Sequence, residues 1–198
     1  MTLAPTLDCE RVLLRPVTLA DVPALYAIFG DAEVMRYWST SPLAKLADAE
    51  SLALKIISGY EEATFLQLGI VERKTSLLIG TCTIFAMHEA SRRAELGYAL
   101  HREYWGQGFM AEALDRIVDY AFSTLGLNRL EADIDPGNHA SAKALSRLGF
   151  KQEGFMPERW IVNDAFSDSA VYGLLKRDWV AHKQHKMAVT PHHLKDSP

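Results

Sequence analysis

The segment Tyr104-Trp-Gly-Gln-Gly-Phe-Met-Ala-Glu-Ala113 decides the fold, because it places two glycines one residue apart directly before a long helical pattern. Backbone N–H groups at the start of a helix point outward at the positive end of the helix dipole, so such a turn can hold an anion. Glycine at 106 and 108 removes the Cβ atoms that would keep a phosphate from the backbone. A helix start that simply needs a tight turn explains the same glycines.

Two phosphate-binding motifs are excluded for this loop. A Walker P-loop requires Gly-Lys-Ser/Thr after the glycines, and the sequence has none. A Rossmann fingerprint requires a third glycine, which is missing, and the strands that precede this loop read as antiparallel.

The residues after the loop predict an amphipathic helix over 110–125. Its apolar residues recur at i, i+3, i+4 and i+7, and Gly126 follows as a natural C-terminal stop. The apolar positions are Met110, Ala113, Leu114, Ile117, Val118, Ala121, Phe122 and Leu125.

The sequence around this helix predicts an α/β (α+β) fold, with a mixed, mostly antiparallel sheet of about seven strands and helices on both faces. If the strands 94–100 and 129–134 are parallel neighbours, the helix between them makes a right-handed crossover. We expect one domain over 8–179 and a loose polar tail over 180–198. The expected strands are 11–16, 65–71, 77–85, 94–100, 129–134, about 150–161 and 169–175, and the other helices are 21–29, 45–62 and 140–148.

A second segment, Asp135–Phe150, carries polar residues at the start of a short helix. Asn138 is a candidate N-cap, and Ser141 follows three residues later. Their side chains either cap the first turn or reach a ligand between two adjacent strands. Lys143 and Arg147 share one helix face and are either a solvated basic edge or a second phosphate contact.

These motifs, in this order and spacing, resemble the GNAT acetyltransferase superfamily. The resemblance runs from Arg-Val-Leu-Leu-Arg-Pro16, through Trp-Gly-Gln-Gly108, Asn-x-x-Ser141, Leu-Gly-Phe150 and Glu-Gly154, to Trp179. Within the superfamily the chain looks like the ribosomal-protein N-terminal acetyltransferases (RimJ/RimL-like). The resemblance implies an acetyl-CoA-dependent N-acetyltransferase whose sheet is splayed by a bulge, with the cofactor lying in the resulting gap.

The resemblance also assigns cofactor-binding residues. The strand ending at Tyr98 and Leu100 would pair with the pantetheine arm, and Asn138 would reach it. A backbone N–H near Leu100 would orient the acetyl carbonyl and stabilise the oxyanion. The backbone amides of the loop would hold the pyrophosphate; its residues are Trp105, Gly106, Gln107, Gly108, Phe109 and Met110, with Ala111 after them.

The chain departs from the family pattern at two positions. The sixth loop residue is usually Gly or Ala, but here it is Met110, which is tolerable if its side chain faces the core. Many members carry a Tyr four residues after the Ser141 position, where it protonates the leaving thiolate. Leu145 stands there and cannot do so, which leaves Ser141 as the nearest candidate donor to the thiolate.

The expected chemistry is direct attack of an amine on acetyl-CoA, which requires an acceptor for the amine proton. Glu95 is the first candidate for that base. An ion pair of Glu95 with Arg92 or Arg93 at the strand start is the alternative interpretation. Glu158 and Asp168 are weaker candidates for the base.

Composition narrows the partners of this 198-residue chain. Lys and Arg number 21 and Asp and Glu 25, so the formal charge is −4, which argues against a nucleic-acid binder. No stretch approaches the length of a membrane span. The leading hypothesis is acetylation of a protein or peptide α-amine. The alternatives are acetylation of a small-molecule amine (an antibiotic, a polyamine or an amino acid) and a non-catalytic acyl-CoA sensor.

The remaining expectations concern cysteines, histidines and assembly. Two cysteines and no signal peptide suggest a cytoplasmic protein, with Cys82 in the core. We expect no metal; the tail histidines read as surface residues rather than ligands. A homodimer is possible, with Phe155, Trp160 and Phe166 either at the interface or packed within the sheet. The tail histidines are His182, His185, His192 and His193.

Overall fold

The computed structural model describes residues 4–189 and contains one mixed sheet flanked by helices. The strands are β1 (Leu7–Asp8), β2 (Val12–Pro16), β3 (Leu66–Glu72), β4 (Leu78–His88), β5 (Arg93–Leu100), β6 (Arg129–Ile134), β7 (Lys151–Val162) and β8 (Ala165–Leu175). The helices are α1 (Val22–Phe29), α2 (Ala32–Met35), α3 (Leu46–Glu62), α4 (Phe109–Ser123), α5 (His139–Arg147) and α6 (Lys176–Val189).

The sheet has the mixed, mostly antiparallel topology that the sequence predicts. Its strand order is β1-β2-β3-β4-β5-β6-β8-β7, and β5–β6 is the parallel pair, with α4 as the crossover. The strand count is eight rather than about seven, because β1 has only two residues and is too short to show an alternating pattern. β7 is irregular after Gln152 and Met156, as its Gly154 and Pro157 predict.

The two central strands separate partway along their length. β5 and β6 pair in register only from Arg93–Arg129 to Glu95–Glu131. β6 pairs with β8 along its whole length, from Arg129–Leu175 to Ile134–Ala170, and β5 continues to pair with β4 as far as Leu100. The gap that opens beyond Glu95 is the splay that the resemblance implies.

Hydrophobic clusters fill both faces of the sheet. The apolar stripe of α4 packs on one face, where Leu114, Ile117 and Val118 are fully buried. The helices α1–α3 cover the other face through Leu25, Ile28 and other apolar residues. Cys82 is fully buried in the first cluster, as predicted.

The C-terminal segment differs from the prediction of a loose tail. Residues 180–189 continue α6, which begins at Lys176; residues 190–198 lie outside the described range. Trp179 is buried against the core, and Lys183 forms an ion pair of 2.6 Å with Asp115 of α4. Tertiary contacts therefore hold a helix whose polar sequence carries little amphipathic pattern. None of the described helices has the length and hydropathy needed to cross a bilayer.

Candidate active site

The glycine loop forms an open, uncapped helix start. Gly106 and Gly108 have φ values of +72° and +82°, in the left-handed region that favours glycine. Gly108 is the N-cap of α4, and no side chain caps this helix. A Cβ built on Gly106 would meet no atom within 4 Å. The free N–H groups of the first turn and this open space form a cradle that an anion can enter and that a side chain would obstruct.

The loop side chains are occupied with the protein's own backbone. Trp105 donates its Nε1–H to the carbonyl of Leu100 at 2.8 Å, and Gln107 donates its Nε2–H to the carbonyl of Glu103 at 2.7 Å. Phe109 is buried, and Met110 packs against the core, which is the condition for its tolerance. The amides rather than the side chains of this loop are thus left for a ligand.

The free edge of β5 faces the splay. His101 donates its N–H to the carbonyl of Ile79 at 2.8 Å, and the next residues inward, Leu100 and Gly80, are register partners. Neighbouring residues in an antiparallel pair alternate between bonding that partner and pointing away from it. Leu100, and Tyr98 two residues earlier, therefore direct their backbone N–H groups away from β4, toward the gap beside β6.

The start of α5 borders the same gap. Asn138 caps the helix by accepting a hydrogen bond from the Ser141 N–H at 3.1 Å. The Tyr98 hydroxyl donates to the Ser141 carbonyl at 3.4 Å, and burial raises the pKa of Tyr98 to about 12, so the phenol stays protonated. Lys143 and Arg147 are exposed, and neither forms an ion pair within the described part of the chain.

Glu95 lies where the two strands separate and forms no ion pair with the described residues. Arg93, its expected partner, instead forms an ion pair with Glu131 at 3.0 Å, and no ion pair to Glu95 is formed within residues 4–189. Burial raises the pKa of the Glu95 carboxyl, and the nearby carboxylates of Glu131 and Asp133 raise it further. The ion-pair interpretation of Glu95 is wrong, and its environment is that of a carboxylate able to accept a proton.

Two adjoining clefts extend from this point. The inner cleft has a volume of about 450 Å³ and is lined by residues that include Glu95, Tyr98, Asn138, Ser141 and Trp160. The outer cleft, of about 750 Å³, is lined by Tyr37, Asp135, Phe166 and Asp168, among others. Thr40, Ser41, Val162 and Ser167 line both clefts. The α2–α3 connection and the β7–β8 hairpin thus contribute walls to both clefts.

Asp133, which lines the inner cleft, is paired with an arginine. Arg159 Nε lies 2.8 Å from Asp133 Oδ2, yet this buried oxygen receives no hydrogen bond in the described structure. The pair is therefore held by charge without hydrogen-bond alignment. Arg159 also lowers the pKa of Glu95, against the larger upward effects of burial and the acidic neighbours.

The structure also locates the weaker base candidates, Glu158 and Asp168, and the three aromatic residues considered for a dimer interface. Asp168 lines both clefts, and its Oδ1 accepts the Glu158 N–H at 2.8 Å. Trp160 and Phe166 line the clefts, and Phe155 is 55% exposed, so none of the three packs in the sheet core. Sequence reasoning missed Asp133 and Asp135 as lining residues; the signal that could have found them is their spacing of two residues, at the end of β6 and directly after it.

The histidines give no metal site in the described chain. His182 stacks on Trp179 at a ring-centroid distance of 6.1 Å. Within residues 4–189 no group of three or more His, Cys, Asp or Glu side chains is placed to hold a metal ion. His192 and His193 lie outside the described residues.

Comparison with known proteins identifies the family. The sequence profile of the acetyltransferase (GNAT) domain matches residues 11–151. The chain belongs to the GNAT acetyltransferase family. It is 35% identical over 172 residues to the uncharacterized N-acetyltransferase YoaA of Bacillus subtilis, an alignment that covers 87% of this chain and 97% of the relative. It is 26% identical over 179 residues to the spermidine N(1)-acetyltransferase of Escherichia coli, with 90% and 92% coverage. The protein is an N-acetyltransferase of a family that uses acetyl-CoA.

Solved structures of the family share the fold. The ribosomal-protein-S5-alanine acetyltransferase from Vibrio fischeri has a TM-score of 0.77 at 22% identity, covering 88% of this chain and 98% of that one. A spermidine N-acetyltransferase from Vibrio cholerae in complex with CoA and spermine has a TM-score of 0.77 at 21% identity, with 86% and 98% coverage. Because the fold is shared by proteins named for ribosomal-protein and for polyamine substrates, it does not assign the chain to the RimJ/RimL-like subgroup.

Proposed function

We propose that this protein transfers the acetyl group of acetyl-CoA to the α-amine of a protein or peptide N-terminus by direct attack. The observation that carries the proposal is a convergence at the splay. The uncapped glycine loop follows the end of β5 that borders the gap, and Glu95, which forms no ion pair with another residue of 4–189, lies where the gap begins. This arrangement suits a long anionic thioester and an incoming amine.

The cofactor side is assigned to backbone groups. The amides at 106–111 would bind the pyrophosphate, with Lys143 and Arg147 as an outer pair of cations. The pantetheine arm would lie along the edge of β5 near Tyr98, within reach of Asn138. The space beside Gly106 is open to a phosphate group, since a Cβ built there would meet no protein atom within 4 Å.

The catalytic roles follow from position and protonation state. Acetyl-CoA supplies a thioester carbonyl as the electrophile. The Leu100 N–H would donate a hydrogen bond to the carbonyl oxygen as negative charge develops on it. Glu95, directly or through a water, would take the amine proton, and its raised pKa makes it a stronger base than an ordinary carboxylate. Ser141 would donate a hydrogen bond to the departing sulfur.

The shape of the acceptor side favours a peptide. The outer cleft of about 750 Å³ continues from the inner one, so an extended chain could enter amine first and leave along the β7–β8 hairpin. The acidic lining favours a second candidate, a polyamine, as in the relative named for spermidine. Asp133, Asp135 and Asp168 line the clefts and would attract either cation.

An acceptor screen separates these candidates. The protein is incubated with acetyl-CoA and one of three acceptors: a short peptide with a free N-terminus, the same peptide with a blocked N-terminus and an internal lysine, or spermidine. Thiol release and the acceptor's mass are followed. The proposal predicts acetylation of the free N-terminus alone. Preferred acetylation of spermidine would replace the peptide assignment, and CoA binding without any product would support a sensor.

Assembly and location belong to the same proposal. A homodimer would bury exposed aromatic side chains such as Phe155 and Phe166, which are 55% and 65% exposed. Sedimentation of the full chain tests it: a monomer at micromolar concentration contradicts the dimer.

A cytoplasmic location fits the two unpaired cysteines, Cys9 and Cys82, because thiols persist in a reducing compartment.

A further inference from the structure

Arg11, on the connection between β1 and β2, ties the first strand to the glycine loop. Its backbone N–H donates to Glu112 Oε1 at 2.6 Å, and its side-chain Nε–H donates to Glu112 Oε2 at 2.9 Å. Glu112 lies in the first turn of α4 and also accepts the Val12 N–H at 3.4 Å. One carboxylate therefore fixes both the backbone and the side chain of Arg11.

The guanidinium of Arg11 rests on the loop itself. Its Nη1–H donates to the carbonyl of Gln107 at 2.8 Å, and its central carbon lies 4.8 Å from the centre of the Phe109 ring. A Cβ on Gly108 would come within 3.1 Å of Nη2. The positive φ of Gly108 favours glycine, and a side chain there would also have to displace the guanidinium by a few tenths of an ångström.

This contact sets the direction of a loop amide. The C=O of Gln107 and the N–H of Gly108 belong to one planar, trans peptide and point in opposite directions. Because Arg11 holds the carbonyl on its own side, the Gly108 N–H points away from Arg11. The charge of the guanidinium is offset by Glu112, and its side chain is 45% exposed, so the orientation of the peptide outweighs the added charge.

We propose that Arg11 is a positioning residue for the cofactor's phosphates: its guanidinium fixes the Gln107–Gly108 peptide so that the loop amides face the pyrophosphate. The inference rests on the proposed function, because it concerns the same loop. Arg11 lies on the first hairpin, about a hundred positions before the loop in the chain, and would orient the amides that bind acetyl-CoA.

The test compares two variants of Arg11 with a matched control. R11K keeps the charge and loses the planar fork, and R11Q loses both. R73Q is the control, because Arg73 holds the same hairpin through the Cys9 carbonyl at 2.9 Å and through Asp8, has a side chain 41% exposed, and does not touch the loop. Each protein is assayed with acetyl-CoA and with S-acetylpantetheine, which lacks the pyrophosphate. CoA affinity is measured by calorimetry. The rise in Tm on adding CoA is also measured for each variant against the same variant without CoA, so that a change in stability is not mistaken for a change in binding.

We expect R11K and R11Q to raise the KM for acetyl-CoA and the Kd for CoA about tenfold, the effect of one misplaced charge-assisted contact. The value of kcat at saturation and kcat/KM for S-acetylpantetheine should stay within twofold of wild type, and R73Q should match wild type with both donors.

Four results would overturn the proposal. An unchanged CoA Kd in both variants removes the role of Arg11. Retention of affinity by R11K alone assigns the effect to charge instead of positioning. Equal losses with both donors, or a matching loss in R73Q, mean that the fold is impaired. Wild-type protein that does not bind CoA contradicts the proposed function itself, which keeps the two failures apart.

Discussion

Alanine at Gly106 should weaken cofactor binding and stability together, whereas alanine at Gly126 should affect stability alone. Both glycines have positive φ, +72° and +69°, and at neither would a Cβ meet an atom within 4 Å. The two substitutions therefore carry the same backbone strain and the same lack of a clash. They differ in place: Gly106 is in the phosphate loop, and Gly126 follows the other end of α4.

The size of the stability effect follows from the backbone. Placing a residue with a Cβ in the left-handed region costs about 1–2 kcal/mol. For a protein of this length each kcal/mol lowers Tm by roughly 2–4 °C, so both variants should melt about 2–8 °C below wild type. At Gly108 the new Cβ also lies 3.1 Å from the Arg11 guanidinium, so G108A should melt lower than G106A. G108V, with a branched side chain, should lower it further.

The kinetic effect separates the two sites. A Cβ on residue 106 fills the space assigned to a phosphate, so G106A should raise the KM for acetyl-CoA about tenfold, the equivalent of roughly 1.4 kcal/mol of binding. G126A should leave that KM within twofold of wild type. Thermal melting and steady-state kinetics on the same preparations give both quantities. Equal KM values for G106A and G126A, whether both raised or both unchanged, would refute the placement of the phosphates in this loop.

Four further predictions test the acceptor side and the fold. E95Q should lower kcat roughly 10²-fold without lowering Tm, as expected for loss of a general base; wild-type turnover in E95Q would remove that role. S141A should lower kcat at least about tenfold through loss of a donor to the leaving sulfur, and intact turnover would contradict it. R159Q removes a cation that lowers the pKa of Glu95, so the acidic limb of the kcat/KM profile should move to higher pH; an unmoved limb argues against Glu95 as the titrating group. Burial alone would raise the pKa of Asp21, but hydrogen bonds from Arg15 and Thr18 outweigh it and hold the pKa below its usual range, so D21N should cost about 2–3 kcal/mol at neutral pH. That difference should disappear as the pH falls through the depressed pKa of Asp21, because protonation removes the same pair in the wild type; a difference that persists in acid would exclude the ion pair as its source.

The loop and the helix after it could be predicted because their signals are local. The glycines at 106 and 108 and the apolar stripe of α4 lie within one short segment, and the structure places them as expected. The helix between 94–100 and 129–134 left open that the two strands are parallel neighbours, and the structure pairs Arg93–Glu95 in parallel with Arg129–Glu131. Local signals of this kind are sufficient wherever backbone conformation and periodicity decide the structure.

The elements that were missed depend on distant contacts or are very short. α6 has a polar sequence, and it is held by the buried Trp179 and by the ion pair of Lys183 with Asp115. β1 and α2 have two and four residues, too few to show a period. Such elements are stabilised by contacts with residues distant in the sequence, and a local sequence pattern does not show those contacts.

Some site residues could likewise be assigned from the sequence, whereas others depend on contacts between distant strands. The assignment of Ser141 and Asn138 came from a resemblance, and the structure places both beside the splay with Glu95. The partner of Arg93 could not be predicted from the sequence. The β5–β6 register brings Arg93 beside Glu131, and it forms its ion pair there rather than with Glu95. The bond between Arg11 and Glu112 joins residues 101 positions apart and likewise depends on the assembled sheet.

Acetyl transfer by the wild-type protein is the most direct test of the central claim. The full chain is mixed with acetyl-CoA and a peptide that has a free N-terminus, and intact mass and free thiol are measured over time. We expect one acetyl group per peptide, located on the α-amine, and one CoA thiol released for each acetyl group transferred. Tight CoA binding with no acetylated product from this peptide, from spermidine or from a lysine side chain would contradict it.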